Sequence, residues 1–105
     1  MKDLRESLDG LIAACPLLVL QFGADSCGPC HAIRSRLDQW LMVRRETDAR
    51  YVDIEANPAL CTQMGIFSVP TVIVYMDGML VARESGVFSL NEMLARVERY
   101  MEMRQ

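Results

Sequence analysis

The chain has 105 residues, 51% of them hydrophobic and 24% charged, with a formal net charge of -3. That length admits one domain with one core, read as a single domain over residues 1–105, and leaves no room for a second. The acidic balance and the lack of any Lys/Arg-rich run exclude nucleic acid as an expected partner, and the longest apolar stretch, Leu11 to Leu20, is too short for a bilayer and broken by Pro16, so no membrane association is expected.

Leu4, Leu8, Leu11 and Ile12 recur at helical spacing, and Pro16 ends that helix. Asp3, Glu6 and Asp9 stand where an export signal needs its apolar segment, so Ile12-Ala13-Ala14-Cys15 reads as a helix end rather than a cleavage site. The expected compartment is therefore cytoplasmic, where accessible cysteine pairs are catalytic or metal-binding more often than structural. An apolar strand follows at Leu17 to Phe22, and a second helix is predicted from Gly28 to Arg45 with Ile33, Leu37, Trp40 and Leu41 on its buried stripe. Tyr51 to Glu55 alternates like a strand, and Asn57-Pro58 opens a short helix carrying Cys61 and Met64. Thr71 to Met76, apolar on both faces, suits a central strand, and Asp77-Gly78 signals a hairpin into Met79 to Glu84. Ser89 with Glu92 forms a capping box for a last helix whose stripe is Leu90, Met93, Leu94, Val97 and Met101. The order is αβαβαββα, with no repeat or linker.

Chemistry concentrates in Cys27-Gly28-Pro29-Cys30-His31, between the strand at Leu17 and the second helix. Two cysteines three apart at a helix start place the first thiol beside unpaired backbone N–H groups and the positive end of the helix dipole. That environment favours thiolate, the reactive form, and makes Cys27 the nucleophile. Cys30, one turn further in, is the resolving cysteine that attacks a mixed disulfide and frees the partner. Pro29 suits the first turn because its missing N–H would have had no helical partner. At Ser68-Val69-Pro70-Thr71, a proline directly before a strand reads as a strand start or a cis turn.

With these elements the chain resembles the thioredoxin superfamily from Leu17 to the C-terminus. The landmarks are Cys-Gly-Pro-Cys, Phe22 and Ala24 before it, Asn57-Pro58, Gly65-Ile66 before Val69-Pro70, Asp77-Gly78 and Gly86. The resemblance implies an α/β fold, a three-layer α/β/α arrangement around a mixed sheet, with Pro70 cis and facing the cysteine pair. Substrate binding then falls to Ser26, Gly28, Pro29, Val69, Pro70 and Gly86, with Val69 docking an extended peptide through its backbone. The residues before Leu17 are taken up by the first helix, so the family's first strand is expected to be missing. Four strands remain, ordered 51–55, 17–22, 71–76, 79–84, with 51–55 as an exposed edge able to pair in a weak dimer of an otherwise monomeric protein.

The resemblance further implies a dithiol-disulfide oxidoreductase acting on disulfide-containing proteins, supplied with electrons by a reductase and needing no cofactor or metal. Several positions depart from the family. Ser26 replaces a tryptophan, Gly23 an aromatic, and Ser35 a helix-kinking proline. Gln21 aligns with the buried acid beneath the resolving cysteine, and Tyr51 with that acid's lysine partner. Losing both charges together avoids burying either one uncompensated. The missing aromatic and acid also keep open a non-catalytic adaptor of the same fold. Two further readings of the motif are covalent haem attachment at Cys27-x-x-Cys30-His31, which normally requires export, and zinc held by Cys27, Cys30, His31 and Cys61, which lacks the second half of a metal pattern. Cys15 and Cys61 fall at opposite ends of a strand ~20 Å long and are expected unpaired, since a disulfide needs Cα atoms within about 7 Å.

Overall fold

A computed structural model describes residues 1–104. These form β1 (Lys2–Asp3), α1 (Leu8–Ala14), β2 (Leu17–Gly23), α2 (Gly28–Met42), β3 (Asp48–Asp53), α3 (Pro58–Met64), β4 (Thr71–Met76), β5 (Met79–Ser85) and α4 (Leu90–Met103). The strands make one mixed sheet in the order β1-β3-β2-β4-β5. β2 lies parallel to β3 and antiparallel to β4, and all seven of its residues are buried. Its side chains alternate between the faces, as the two-residue period of a strand requires. Leu17 and Val19 join Leu37 and Trp40 of α2 and Met93, Leu94 and Val97 of α4. Leu18, Leu20 and Phe22 join Leu8 of α1 and Cys61 of α3 on the opposite face. A strand with apolar partners on both sides reads as a continuous hydrophobic run, which is why Leu17 to Phe22 stands out in the sequence.

The hairpin expected at Asp77-Gly78 is present, with φ of 51° and 83° at its two central residues. Positive φ at both is the left-handed geometry that matches strand twist in a two-residue turn. Ser89 caps α4 by accepting the Glu92 N–H at 3.2 Å. Among the described residues no helix is long and apolar enough to cross a membrane.

The N-terminal segment corrects the expected topology. β1 pairs in parallel with β3, Lys2 opposite Arg50 and Asp3 opposite Tyr51, and the Leu4 N–H continues the ladder to the Tyr51 carbonyl at 2.8 Å. The sheet is five-stranded, and the first strand is present rather than missing. Helix α1 begins late, at Leu8, because Ser7 is its N-cap and accepts the Gly10 N–H. Leu4 therefore belongs to the strand exit, not to the helix. With β1 in place, β3 is no longer an open edge, and a dimer through residues 51–55 has lost its pairing surface. β3 itself runs Asp48–Asp53, and the chain turns at residues 54–56, where Asp53 accepts the Glu55 N–H and, through its carbonyl, the Asn57 side-chain amide. Helix α2 stops at Met42 rather than Arg45, with the Arg44 guanidinium turned back onto the Trp40 carbonyl.

One ion pair ties the N-terminal segment down. The Arg50 Nε and Nη2 each donate to a different oxygen of the Glu6 carboxylate at 3.0 Å, and Nη1 donates to the Ala49 carbonyl at 2.8 Å. Such a bidentate, charge-assisted pair is the strongest form of the contact. Hydrogen bonding from Arg50 holds the Glu6 carboxyl at about 2, below its ordinary 4.5. A depressed carboxyl pKa contributes stability that is present above about pH 4.5 and lost as pH falls towards 2. Glu6→Gln is expected to flatten the stability profile across that window and to lower stability at neutral pH, because Arg50 stays buried without its anion. Denaturant melts of both proteins between pH 2 and 7 check this; parallel curves would show that the pair carries no pH-dependent stability.

Candidate active site

β2 delivers the chain through Ala24, Asp25 and Ser26 to the start of α2. Cys27 is the N-cap of this 15-residue helix, its Sγ accepting the Cys30 N–H at 3.2 Å. Gly28 and Pro29 form the exposed first turn, which has no acidic residue to offset the helix dipole. The two cysteines form a disulfide across a Cα separation of 5.3 Å, inside the ordinary range. Their environments differ: Cys27 is half-buried, whereas Cys30 has no exposed surface. Only the first sulfur can be reached from outside. His31 turns back onto the loop, and its Nε2 lies 2.9 Å from the Asp25 carbonyl. A carbonyl only accepts, so that nitrogen carries a proton.

Beneath the pair lies Gln21, fully buried on the same strand face as Leu17 and Val19. Its Nε2 donates to the Cys30 carbonyl at 2.7 Å, and its Oε1 has no hydrogen-bond partner among the described residues. Tyr51 is opposite Gln21 in the β2–β3 register. Its ring lies under the Arg34 guanidinium, 4.3 Å from the ring centroid, a cation–π contact. Burial pushes the Tyr51 phenol pKa up, partly offset by Arg34. The hydroxyl end of the ring crosses Gly23, where a Cβ would fall 2.9 Å from the ring carbon Cζ. The departures at Gly23 and Tyr51 are therefore one exchange: the aromatic volume comes from β3, and the β2 position must stay bare.

The second wall is the turn before β4. The Val69–Pro70 peptide bond is cis. The Pro70 carbonyl accepts the Gly86 N–H at 2.9 Å, and Thr71 Oγ1 bonds the Ser68 carbonyl at 2.8 Å and meets Ser85 Oγ at 2.9 Å. These contacts fix the Pro70 turn to the end of β5. Gly86 has φ 74°, which glycine adopts without the steric cost of a side chain. The Val69 N–H and C=O take no hydrogen-bond partner among the described residues. Two exposed apolar side chains flank this turn, Phe67 at 82% and Val87 at 105% relative exposure. Sequence reasoning missed both because neither falls on a helical or strand period; their only signal is an apolar residue within a loop, next to Val69 and Gly86 respectively.

The remaining candidates lie elsewhere. Cys15 and Cys61 are free and buried. Burial pushes both thiol pKa values up, further for Cys15 through hydrogen bonding with Asp48, so neither is a ready thiolate. Among the described residues no three His, Cys, Asp or Glu side chains are gathered to hold a metal ion. A cleft of about 560 Å³ between β1, β3 and α3 is lined by Asp3, Arg5, Glu6, Tyr51 and Asp53 and includes neither redox cysteine. Chemistry here occurs on a surface rim rather than in a pocket.

The packing at Gly23 gives a direct test. Gly23→Ala is expected to destabilise the protein by about 1–3 kcal/mol, the usual scale for overpacking, by driving the Tyr51 ring aside. Tyr51→Phe, by removing the hydroxyl, should recover part of that loss in the double variant. Denaturant melts of the four proteins of this cycle measure the coupling; strictly additive effects would place the strain elsewhere.

Comparison with known proteins agrees with this geometry. The sequence model of the thioredoxin family matches residues 4–99. The thioredoxin of Mycolicibacterium smegmatis is 36% identical over 83 residues, 76% of this chain and 73% of that protein. The thioredoxin of Chlamydia muridarum is 28% identical over 84 residues, 80% and 82% of the two chains. In fold, the N21Q mutant thioredoxin from Halobacterium salinarum NRC-1 superimposes with a TM-score of 0.80 at 24% identity, covering 95% of this chain and 88% of that one. A disulfide between helix-start cysteines, on a sheet and helix arrangement shared with these proteins, makes this chain a member of the thioredoxin family and a thiol-disulfide oxidoreductase.

Proposed function

We propose that Cys27 is the attacking thiol and Cys30 the resolving thiol of a protein-disulfide reductase or exchanger. The observation that carries this reading is the N-cap geometry: the Cys27 sulfur accepts the Cys30 N–H at 3.2 Å at the uncompensated positive end of α2. A sulfur so placed is stabilised as an anion. In the cycle, the Cys27 thiolate attacks one sulfur of a substrate disulfide, and the other substrate sulfur leaves as thiolate. Cys30, deprotonated, then attacks Cys27 Sγ; the substrate departs reduced and the Cys27–Cys30 disulfide forms. Two electrons from a dithiol reductase reset the pair. No bound cofactor enters these steps.

Ser26, Gly28, Pro29, Val69, Pro70 and Gly86 form the substrate-binding surface in this reading. The free Val69 N–H and C=O suit pairing with an extended segment laid beside Cys27. Phe67 and Val87 supply the apolar rim that Ser26 does not. The partners are disulfide-containing proteins and a reductase. The protein works as a single domain over residues 1–105, as a monomer in the cytoplasm.

Because attack and release are separate steps, the two cysteine variants must differ in kind. Cys30→Ser is expected to accumulate a mixed disulfide with a disulfide-bonded protein such as insulin, and Cys27→Ser to accumulate none; both should lose multiple-turnover insulin reduction. Non-reducing gels and mass spectrometry of the trapped adduct check this. Equal trapping by the two variants would reverse the assignment, and insulin reduction by neither the wild type nor the variants would favour a binding role without chemistry.

A further inference from the structure

The Gln21 side chain is fully buried against Cys30, yet only one end of its amide is used. Nε2 must face the Cys30 carbonyl, which can only accept, so the amide orientation is fixed and Oε1 is the orphaned acceptor. Buried acceptors without partners are rare and costly. In the disulfide neither sulfur has a hydrogen to donate. Reduction changes this: two glutathione thiols, giving up two electrons and two protons and becoming glutathione disulfide, convert Cys27–Cys30 to the dithiol. Cys27 Sγ already receives a donor, the Cys30 N–H, and is served best without a proton. Cys30 Sγ, enclosed and next to the Gln21 amide, gains an S–H that needs an acceptor.

We propose that Gln21 is a redox-state-dependent positioning residue whose Oε1 accepts the Cys30 S–H in the dithiol and has no protein donor in the disulfide. The proposal rests on the reading of Cys27 and Cys30 given above and deepens it. The two sulfurs receive opposite polarity from the protein: a donor at Cys27, an acceptor at Cys30. The proton remaining after Cys27 ionises is held at Cys30. The dithiol is favoured over the disulfide, and Cys30 gives up its proton reluctantly when it must resolve a mixed disulfide.

Gln21→Met, which keeps the volume and removes the acceptor, separates this role from packing. The variant also loses the bond to the Cys30 carbonyl, but it loses it in both redox states, so that loss cancels in the redox equilibrium. Equilibrating each protein with defined glutathione mixtures is expected to show the variant five- to tenfold further towards the disulfide, a reduction potential roughly 20–30 mV lower at 29.6 mV per tenfold. Equal equilibrium constants, or a shift towards the dithiol, would overturn the proposal. In case the variant does not fold, wild-type protein carrying 13C in its glutamine side chains gives a second reading: the Gln21 Cδ resonance should move on reduction with excess dithiothreitol and should not move in Cys30→Ala. An unmoved resonance in the wild type also overturns the proposal, and is the result expected if a bound water satisfies Oε1 in both states. A cysteine pair that dithiothreitol reduces but that exchanges with no glutathione mixture would instead contradict the function proposed above, leaving the resonance to decide the role of Gln21.

Discussion

β2 is enclosed on both faces and paired on both edges, and the position of the redox pair depends on that enclosure. Leu18, Val19, Leu20 and Phe22 have no exposed surface, and each large apolar side chain so buried is worth about 1.5–3 kcal/mol. A one-residue slip would put Leu18, Leu20 and Phe22 against α2 and drive Gln21 into the opposite apolar cluster. The register is therefore strongly specified. Three residues past the end of β2 the chain must cover the sheet with α2, and Leu37 and Trp40 hold that helix on the face shared with Val19. Cys27 becomes the helix cap because strand and helix are both fixed and little chain lies between them.

From this placement the chemistry divides between two sulfurs that are close in space and unlike in surroundings. Cys27 looks outward, at the positive end of a helix dipole, with a backbone N–H on its sulfur. Cys30 looks inward, enclosed by the core and stacked above an uncharged amide. Solvent access and local polarity favour the same division of labour. The absence of a carboxylate under Cys30 is a physical choice as well: Gln21 and Tyr51 meet across β2 and β3 without a buried ion pair, and the only charge near them, Arg34, lies over the Tyr51 ring. Stability is kept simple at the expense of a proton acceptor for the resolving thiol.

Legibility in the sequence followed the strength of local physical signals. The strands at 17–23 and 71–76 were readable because two-sided burial leaves an unbroken apolar run. The starts of α2 and α4 were readable because caps and first-turn prolines are chemical signals. Lys2–Asp3 was not: two polar residues have no periodicity, and their pairing is decided by the backbone of β3. The same limit hid the covered edge and the ends of α2 and β3, which side chains such as Arg44 and Asp53 set through contacts with main chain. At the site, Cys27, Cys30 and Pro70 were legible as motif residues. Phe67 and Val87 were not, since exposed apolar loop residues carry no pattern. That Gln21 replaces an acid could be read; that one of its oxygens would be left without a partner required the position of the Cys30 carbonyl.

The central claim is that the fold makes one of the two thiols an accessible anion and keeps the other an enclosed thiol. Alkylation of the reduced protein by iodoacetamide, followed against pH with each cysteine resolved by peptide mass spectrometry, tests it directly. The account predicts that Cys27 is modified first, with a midpoint below the ordinary thiol value of about 8.5, while Cys30 remains protected in the folded protein. Modification of Cys30 at the same rate, or a Cys27 midpoint at or above that value, would contradict it.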